Sequence, residues 1–488
     1  MTFDTKKFYK ILLGIILLIG AVLRICVYSI NRSLWHDECS LAVNILNGNI
    51  FSYFGQLEHL QSAPPIFMIC SKLLYNIFPT YPELALRFIP LVASLVSIWI
   101  FYLLLKKFIS NKYFILIGMF LFSINFQLIY YAQEFKQYST DVLMVLLALL
   151  FYSHFDYMIS NLKQKFIFAI TTASLPFISL PTIFVIASAF IINCYKAKKE
   201  KLKSLFLSFL PAIVLNLLYF LVTLLPSKRA MIGTFSEMWG KGFLSFDLYS
   251  DFLILKNNLQ FFFNPCNFYI LALILIITGI VYSIKRKSLG DKYLLLTSLF
   301  IVLASFLQIY PIKERVSLYL IPILLIFILQ SIVIDFKAKK IQTIITVLIF
   351  AIFFSGYNHN YLKGIYKHPI FERKDSRSVV LKLKEMHKAD EWIVINDASD
   401  SDFEFYGTHF KFITPYLKFG RIAMQKYDKN WYFEILSSLP KGNKYWFCYP
   451  YDYVNSPAIP FLKEWIRTNA KILYEYEKDS SYLVLVEY

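Results

Sequence analysis

Charge is scarce in this sequence. Asp, Glu, Lys and Arg make up 17% of its 488 residues, against about 25% in soluble domains. A soluble chain of this length would cover its core with charge, and too little is present to do so. Glycine and proline are also thin, at 15 and 18 residues, which excludes a collagen-like repeat. The six cysteines are scattered, which excludes a disulfide-stapled scaffold. Apolar residues are abundant at 57%, including 48 Phe, 35 Tyr and 7 Trp, and the mean hydropathy is +0.53. Such a composition excludes intrinsic disorder. It implies an α-helical polytopic membrane protein.

Acids are fewer than bases, 32 against 50, for a net charge of +18. A basic balance can signal nucleic acid, but its position argues for a membrane instead. Divided at Gly356, the tail 357–488 holds 19 bases and 17 acids, so the excess lies in 1–356. There it sits in short clusters between apolar runs. Nucleic acid is therefore not an expected partner, whereas membrane lipids are.

Eleven runs are long enough to cross a bilayer, at about 20 residues each. They lie near 10–30, 84–105, 113–131, 139–158, 165–180, 182–195, 204–225, 267–284, 293–310, 316–334 and 341–356. Pro176 and Pro181 divide 165–195 into a tight helical hairpin. One set of loops carries clusters such as Lys6, Lys7, Lys10 and Lys196, Lys198, Lys199, Lys201, Lys203. The opposite set is poorer in bases over more residues. The positive-inside rule puts the amino terminus in the cytoplasm, and an odd number of spans puts the tail outside. The first span lacks a small-residue cleavage site and reads as an anchor. Arg24, late in that span, is expected to snorkel outward. Acids favour the outer loops, so carboxylate chemistry is expected on the outer face. The long outer loops 31–83 and 226–266 mix aromatics with polar groups, as interfacial helices do.

The tail reads as a small C-terminal α/β extracytoplasmic domain, 357–488. Strands are expected at Trp392–Ile395, Tyr445–Cys448, Lys471–Tyr476 and Tyr482–Val486, with helices over 428–438 and 457–469 and a helical pattern after Asp375. Asp397, Asp400 and Asp402 read as solvated loop acids. Cys39 and Cys70 share one outer loop and have the spacing to pair, which spacing alone does not decide.

Four patterns carry chemistry. Leu34-Trp35-His36-Asp37-Glu38 puts two adjacent carboxylates just outside the first span, where they cost desolvation energy unless used or paired. Ser62-Ala63-Pro64-Pro65 reads as a helix start and precedes Glu83-Leu84-Ala85-Leu86-Arg87. Tyr130-Tyr131-Ala132-Gln133-Glu134-Phe135-Lys136-Gln137-Tyr138-Ser139-Thr140-Asp141 fills the outer turn between the third and fourth spans. If that turn is helical, Glu134, Tyr138 and Asp141 share a face, with Lys136 directed elsewhere for a phosphate. Lys313-Glu314-Arg315 opens the tenth span, and Arg315 suits a phosphate clamp. Each pattern has an ordinary reading too: surface acids beside an interfacial tryptophan, a proline-started helix, a wet turn with a local ion pair, a snorkelling arginine. Glu58 and His59, with His36 and Asp37, supply ligand types for a divalent metal ion.

Together these patterns resemble the C-type glycosyltransferase superfamily. They are most similar to bacterial glycosyltransferase family 39, which holds protein O-mannosyltransferase and lipid A aminoarabinose transferase-like enzymes. The resemblance runs in order over roughly 1–330. It implies a polyprenyl-phosphate sugar donor in the outer leaflet of the bacterial cytoplasmic (inner) membrane, and a lipid, glycan or protein acceptor. It makes Asp37 the catalytic base in an inverting transfer, with Glu38 supporting it or binding acceptor. It gives Lys136 and Arg315 the donor phosphate, with Glu134 orienting Lys136 or touching sugar. The aminoarabinose enzymes carry Glu-Lys before the paired prolines, where this chain has Ser62-Ala63, so a role of that Glu-Lys does not carry over. The sugar, hexose or pentose, stays open.

Two other classes compete. A lipid-linked-sugar flippase would keep ionisable groups at midplane and often show repeats. Here charges cluster at outer ends, and no repeat is present. A polysaccharide ligase or polymerase would lean on basic residues without this Asp-Glu pair.

Overall fold

The computed structural model describes residues 5–155, 160–230, 240–263, 269–332, 375–396, 399–419, 429–450, 458–478 and 481–488. The expected span at 341–356 lies outside them, as does Asp397. The chain forms two compact units. One comprises Met1–Ile30, Tyr53–Gln56 and Ser62–Lys363; the other comprises Asn31–Ser52, Leu57–Gln61 and Gly364–Tyr488.

The first unit is helical. Its helices are α1 (Thr5–Ser29), then, after α2 (His36–Asn47) of the other unit, α3 (Pro65–Ile77), α4 (Pro82–Phe108), α5 (Lys112–Ser123), α6 (Phe126–Tyr130), α7 (Tyr138–His154), α8 (Leu162–Ile178), α9 (Thr182–Lys196) and α10 (Lys199–Tyr219). After a π turn at Phe220–Leu224 and a helical turn at Leu225–Ala230 come α11 (Leu248–Phe263), α12 (Tyr269–Arg286), α13 (Leu289–Phe306) and α14 (Leu320–Ile332). Among the described residues, five helices are long and apolar enough to cross a membrane, or six if the bent pair α5–α6 is one span. The protein is thus a multi-pass membrane protein.

Local chemistry explains where the helices break. Asn125 ends the run expected over 113–131: its side chain accepts from Leu128 N at 3.1 Å and caps α6, and the chain bends by 52° there. The same amide donates to Phe262 O at 2.7 Å, fastening the break to α11. The helical hairpin is present: α8 contains Pro176 in its last turn, and Pro181 precedes α9. Gly279 lets α12 approach α14, since a Cβ there would lie 2.0 Å from Phe327 O.

Arg24 does not snorkel. It is fully buried, and its guanidinium donates to Ser94 Oγ, Gly20 O and Ser123 O at 2.8–2.9 Å. Three helices, α1, α4 and α5, supply these acceptors, so a buried charge is met by hydrogen bonds and does not need water.

The second unit contains α2, α15 (Ser376–Met386), α16 (Asp400–His409), α17 (Lys429–Ser437), α18 (Ala458–Asn469) and strands β1 (Trp392–Asn396), β2 (Leu417–Phe419), β3 (Lys444–Tyr449), β4 (Lys471–Lys478) and β5 (Ser481–Glu487). The sheet order is β2-β1-β3-β5-β4. β1 is parallel to β2 and β3, and β5 is antiparallel to β3 and β4. The central β3 and β5 are apolar and buried, while edge strand β4 carries Lys471, Glu475, Glu477 and Lys478, charges that discourage edge-to-edge pairing. Val394, Phe447, Leu462, Trp465 and Val484 are among the core residues.

Candidate active site

The Trp-His-Asp-Glu pattern forms the start of α2. Trp35 is the N-cap and Glu38 the third helical residue, whose carboxylate accepts from Trp35 N at 3.2 Å, the reach-back half of a capping box. Arg32 Nη1 donates to the same oxygen at 3.2 Å, with both side chains buried. Glu38 is therefore committed to the helix start. Asp37, in the first turn and half-buried, sits where helix N–H groups favour negative charge.

This helix start is fastened to the C-terminal part of the unit. Tyr406 OH accepts from Leu34 N at 2.7 Å and lies 3.1 Å from Ser33 Oγ. His36 Nδ1 lies 3.1 Å from Asp402 Oδ2, and Ser376 Oγ donates to Asp402 Oδ1 at 2.6 Å. Ser40 and Ser401 hydroxyls are 2.9 Å apart. Asp402 is thus no solvated loop acid: it is wholly buried on α16 and holds His36. Asp400 is partly exposed on the same helix, paired with Lys418 and Tyr416 OH.

His36 does not join Glu58 and His59. These two meet Glu404 of α16, with one ligand atom from each residue, all within 4.8 Å of one another. His59 Nε2 is 3.1 Å from Glu404 Oε2, and Asn47 Nδ2 donates to Glu404 at 3.0 Å and Glu58 at 3.3 Å. The hydrogen bond to Glu404 raises the His59 pKa above its ordinary value, and the same bond lowers that of Glu404. Glu404 and Ser376 were not singled out by sequence, because nothing in their local pattern marks them.

The basic candidates belong to the first unit. The turn before α7 is not one continuous helix. Tyr131–Gln133 form a 3-10 turn, and Glu134 is extended, so Glu134 does not share a helical face with Tyr138 and Asp141. Lys136 is nearly buried at 6% exposure, and its N–H donates to Glu134 O at 2.7 Å. Asp141 is buried and accepts from Ser179 Oγ at 2.7 Å, which ties α7 to the hairpin turn. Gln137 Nε2 donates to Ser62 O at 3.4 Å, and the Phe67 and Phe135 rings stack at 5.7 Å. The Ala-Pro-Pro helix start and this turn therefore meet.

Arg315 meets the same turn. Its guanidinium lies 5.9 Å from the Tyr138 ring centroid, and Tyr131 packs edge-on against Tyr138 at 5.3 Å. The loop carrying Arg315 is built by α11: Asn258 donates to Ile312 O at 3.0 Å and accepts from Glu314 N at 2.7 Å. Glu314 has φ +35°, a conformation rare for non-glycine residues.

Among the described residues there is no disulfide. Cys39 is buried with Sγ 3.7 Å from Leu34 O, and Cys70 is exposed.

No protein-family model matches the sequence, and no curated protein matches it. Solved structures do match the fold. ArnT from Cupriavidus metallidurans in the apo state is 11% identical, with a TM-score of 0.59 over 97% of this chain and 98% of that one. The same protein bound to undecaprenyl phosphate gives 11%, 0.56, 99% and 98%. The Archaeoglobus fulgidus oligosaccharyltransferase complex with Zn and sulfate gives 14% and a TM-score of 0.47, over 83% of this chain and 62% of that one. The chain thus spans less than two thirds of the archaeal enzyme but nearly all of ArnT. The fold is shared with ArnT along nearly the whole of both chains.

Proposed function

We propose that this chain is an integral-membrane glycosyltransferase. It takes a sugar from a polyprenyl-phosphate donor and transfers it to a lipid, glycan or protein acceptor on the outer face of the bacterial cytoplasmic membrane. The observation that carries the reading is the agreement in fold with ArnT along nearly the whole of both chains. The undecaprenyl phosphate bound to that protein is the donor's lipid carrier in the class proposed here. The chain then has eleven spans, a cytoplasmic amino terminus and an extracytoplasmic tail.

In the proposed reaction, Asp37 accepts the proton of the acceptor hydroxyl. The acceptor oxygen bonds to the anomeric carbon as the bond from that carbon to the phosphate oxygen breaks. The configuration inverts, and polyprenyl phosphate leaves with the bonding pair. Lys136 and Arg315 neutralise the phosphate charge as it develops. Glu38 acts as a positioning residue, because its carboxylate is engaged by Arg32 and the Trp35 N–H.

Purified wild type and Asp37→Asn are offered a panel of radiolabelled polyprenyl-phosphate sugars with membrane-extracted acceptors. Wild type is expected to transfer one sugar and the variant none, with folding unchanged. Turnover by the variant removes Asp37 as base. Failure of wild type to consume or bind any lipid-linked sugar sinks the whole reading. Lys136→Ala is expected to weaken apparent donor affinity more than acceptor affinity; unchanged donor affinity removes its phosphate role.

A further inference from the structure

The group formed by Glu58, His59 and Glu404 is set apart from the proposed chemistry. Glu58 and His59 follow α2 in sequence, and Glu404 projects from α16, yet their ligand atoms gather within 4.8 Å. We propose that these three side chains form a binding site for a divalent transition-metal ion, which clamps the 57–61 segment to α16.

The donor set fits such an ion. Imidazole nitrogen and carboxylate oxygen are both zinc ligand types, and three protein ligands leave a fourth position for water. The imidazole disfavours calcium and magnesium, which prefer all-oxygen shells. Charge agrees independently. Glu58, Glu404 and nearby Asp400 carry three negative charges, and Lys418 balances Asp400. With His59 neutral as a ligand, two negative charges remain to meet one divalent cation. Asn47 keeps the two glutamates turned toward each other, donating to both.

Closing onto an ion asks for small movements. Ligand atoms around tetrahedral zinc stand about 3.3 Å apart, from bonds of about 2.0–2.1 Å. Glu58 is exposed, and His59 and Glu404 retain 24% and 30% of their side-chain surface. An ion can reach all three, and His59 Nε2 and Glu404 Oε2, 3.1 Å apart, already stand near that spacing. The competing arrangement is the bare His59–Glu404 pair, which needs no third carboxylate; the role of Glu58 therefore separates the two.

The test uses the full chain, purified in detergent, stripped with chelator and titrated with Zn2+ by calorimetry. One ion per chain is expected for wild type. Glu404→Gln and Glu58→Gln are each expected to weaken binding at least about tenfold. Zn2+ is also expected to raise the unfolding temperature of wild type and not that of Glu58→Gln. Glu58→Gln alters an exposed side chain, so it keeps the test decisive if Glu404→Gln folds poorly. Equal affinity in wild type and Glu58→Gln, or binding of wild type only at millimolar Zn2+, overturns the proposal. None of these readouts depends on glycosyl transfer, so failure here leaves the transfer reading standing, and the reverse holds.

Discussion

Arg24 carries a full charge with none of its surface exposed, and its hydrogen bonds to Ser94, Gly20 and Ser123 are what make that tolerable. Arg24→Met keeps the volume of the stem but leaves those acceptors unmet. It is expected to destabilise the helical unit by about 1–3 kcal/mol, read as a lower unfolding temperature of the purified protein. Asp402 poses the same problem with opposite charge. Asp402→Ala strips a partner from both His36 and Ser376, and a loss of about 1–3 kcal/mol is expected. A variant that unfolds like wild type would show that the buried acid contributes nothing to seating α2. Neither residue's role was legible in sequence. An arginine near a span end resembles one that snorkels, and an acid flanked by serines and another acid resembles a wet loop. Both readings assume water, and burial is decided by what packs on top.

Helix ends and helix contacts carry the next two expectations. Asp375 caps α15: it accepts from Ser378 N at 3.2 Å and from Lys478 Nζ at 2.6 Å. Burial raises its carboxyl pKa, but the bonds from Lys478 and Ser378 together outweigh burial and hold it below the usual value. A folded-state pKa lower than the unfolded one, about 3.9, gives stability that is full above that value. The contribution fades as pH falls through the lower folded-state value. Asp375→Ala is therefore expected to cost about 0.5–2 kcal/mol at pH 7, with the gap to wild type narrowing as unfolding is measured in increasingly acid buffer. At Gly279 a methyl group has no room, since the Phe327 carbonyl is in the way. Gly279→Ala is expected to separate α12 from α14 and cost about 1–3 kcal/mol, despite alanine's better helix propensity. Most helices of the first unit were legible as apolar runs, and the strands of the second as short β-branched and aromatic stretches. α16 and β2 were not. Asp400–His409 has three acids and a glycine in ten residues, and its helicity rests on the face it packs against α2. β2 is three residues long, too short to show a period.

At the scale of the molecule, the compact unit that holds Asp37 is assembled from three separate stretches of chain. The outer-loop helix α2 is packed and hydrogen-bonded to residues more than 350 positions later, through His36–Asp402, Ser40–Ser401 and Leu34–Tyr406. A chain ended after Gly356 keeps every motif residue but loses those partners. Hydrogen exchange over residues 33–47 is expected to be fast in that truncated protein and protected in the intact one. Equal protection would mean that α2 holds its place without the tail.

The sequence by itself determined that this is a polytopic helical membrane protein with a small α/β tail, because bilayer and sheet both impose periods and lengths that a composition must satisfy. It also carried the ordered motifs that resemble C-type glycosyltransferases. Only the tertiary structure decided that Asp402 and Glu404 belong beside α2, and that Tyr138 and Arg315 meet. Those are contacts between residues distant in the chain, set by packing and long-range hydrogen bonds, and no local pattern encodes them.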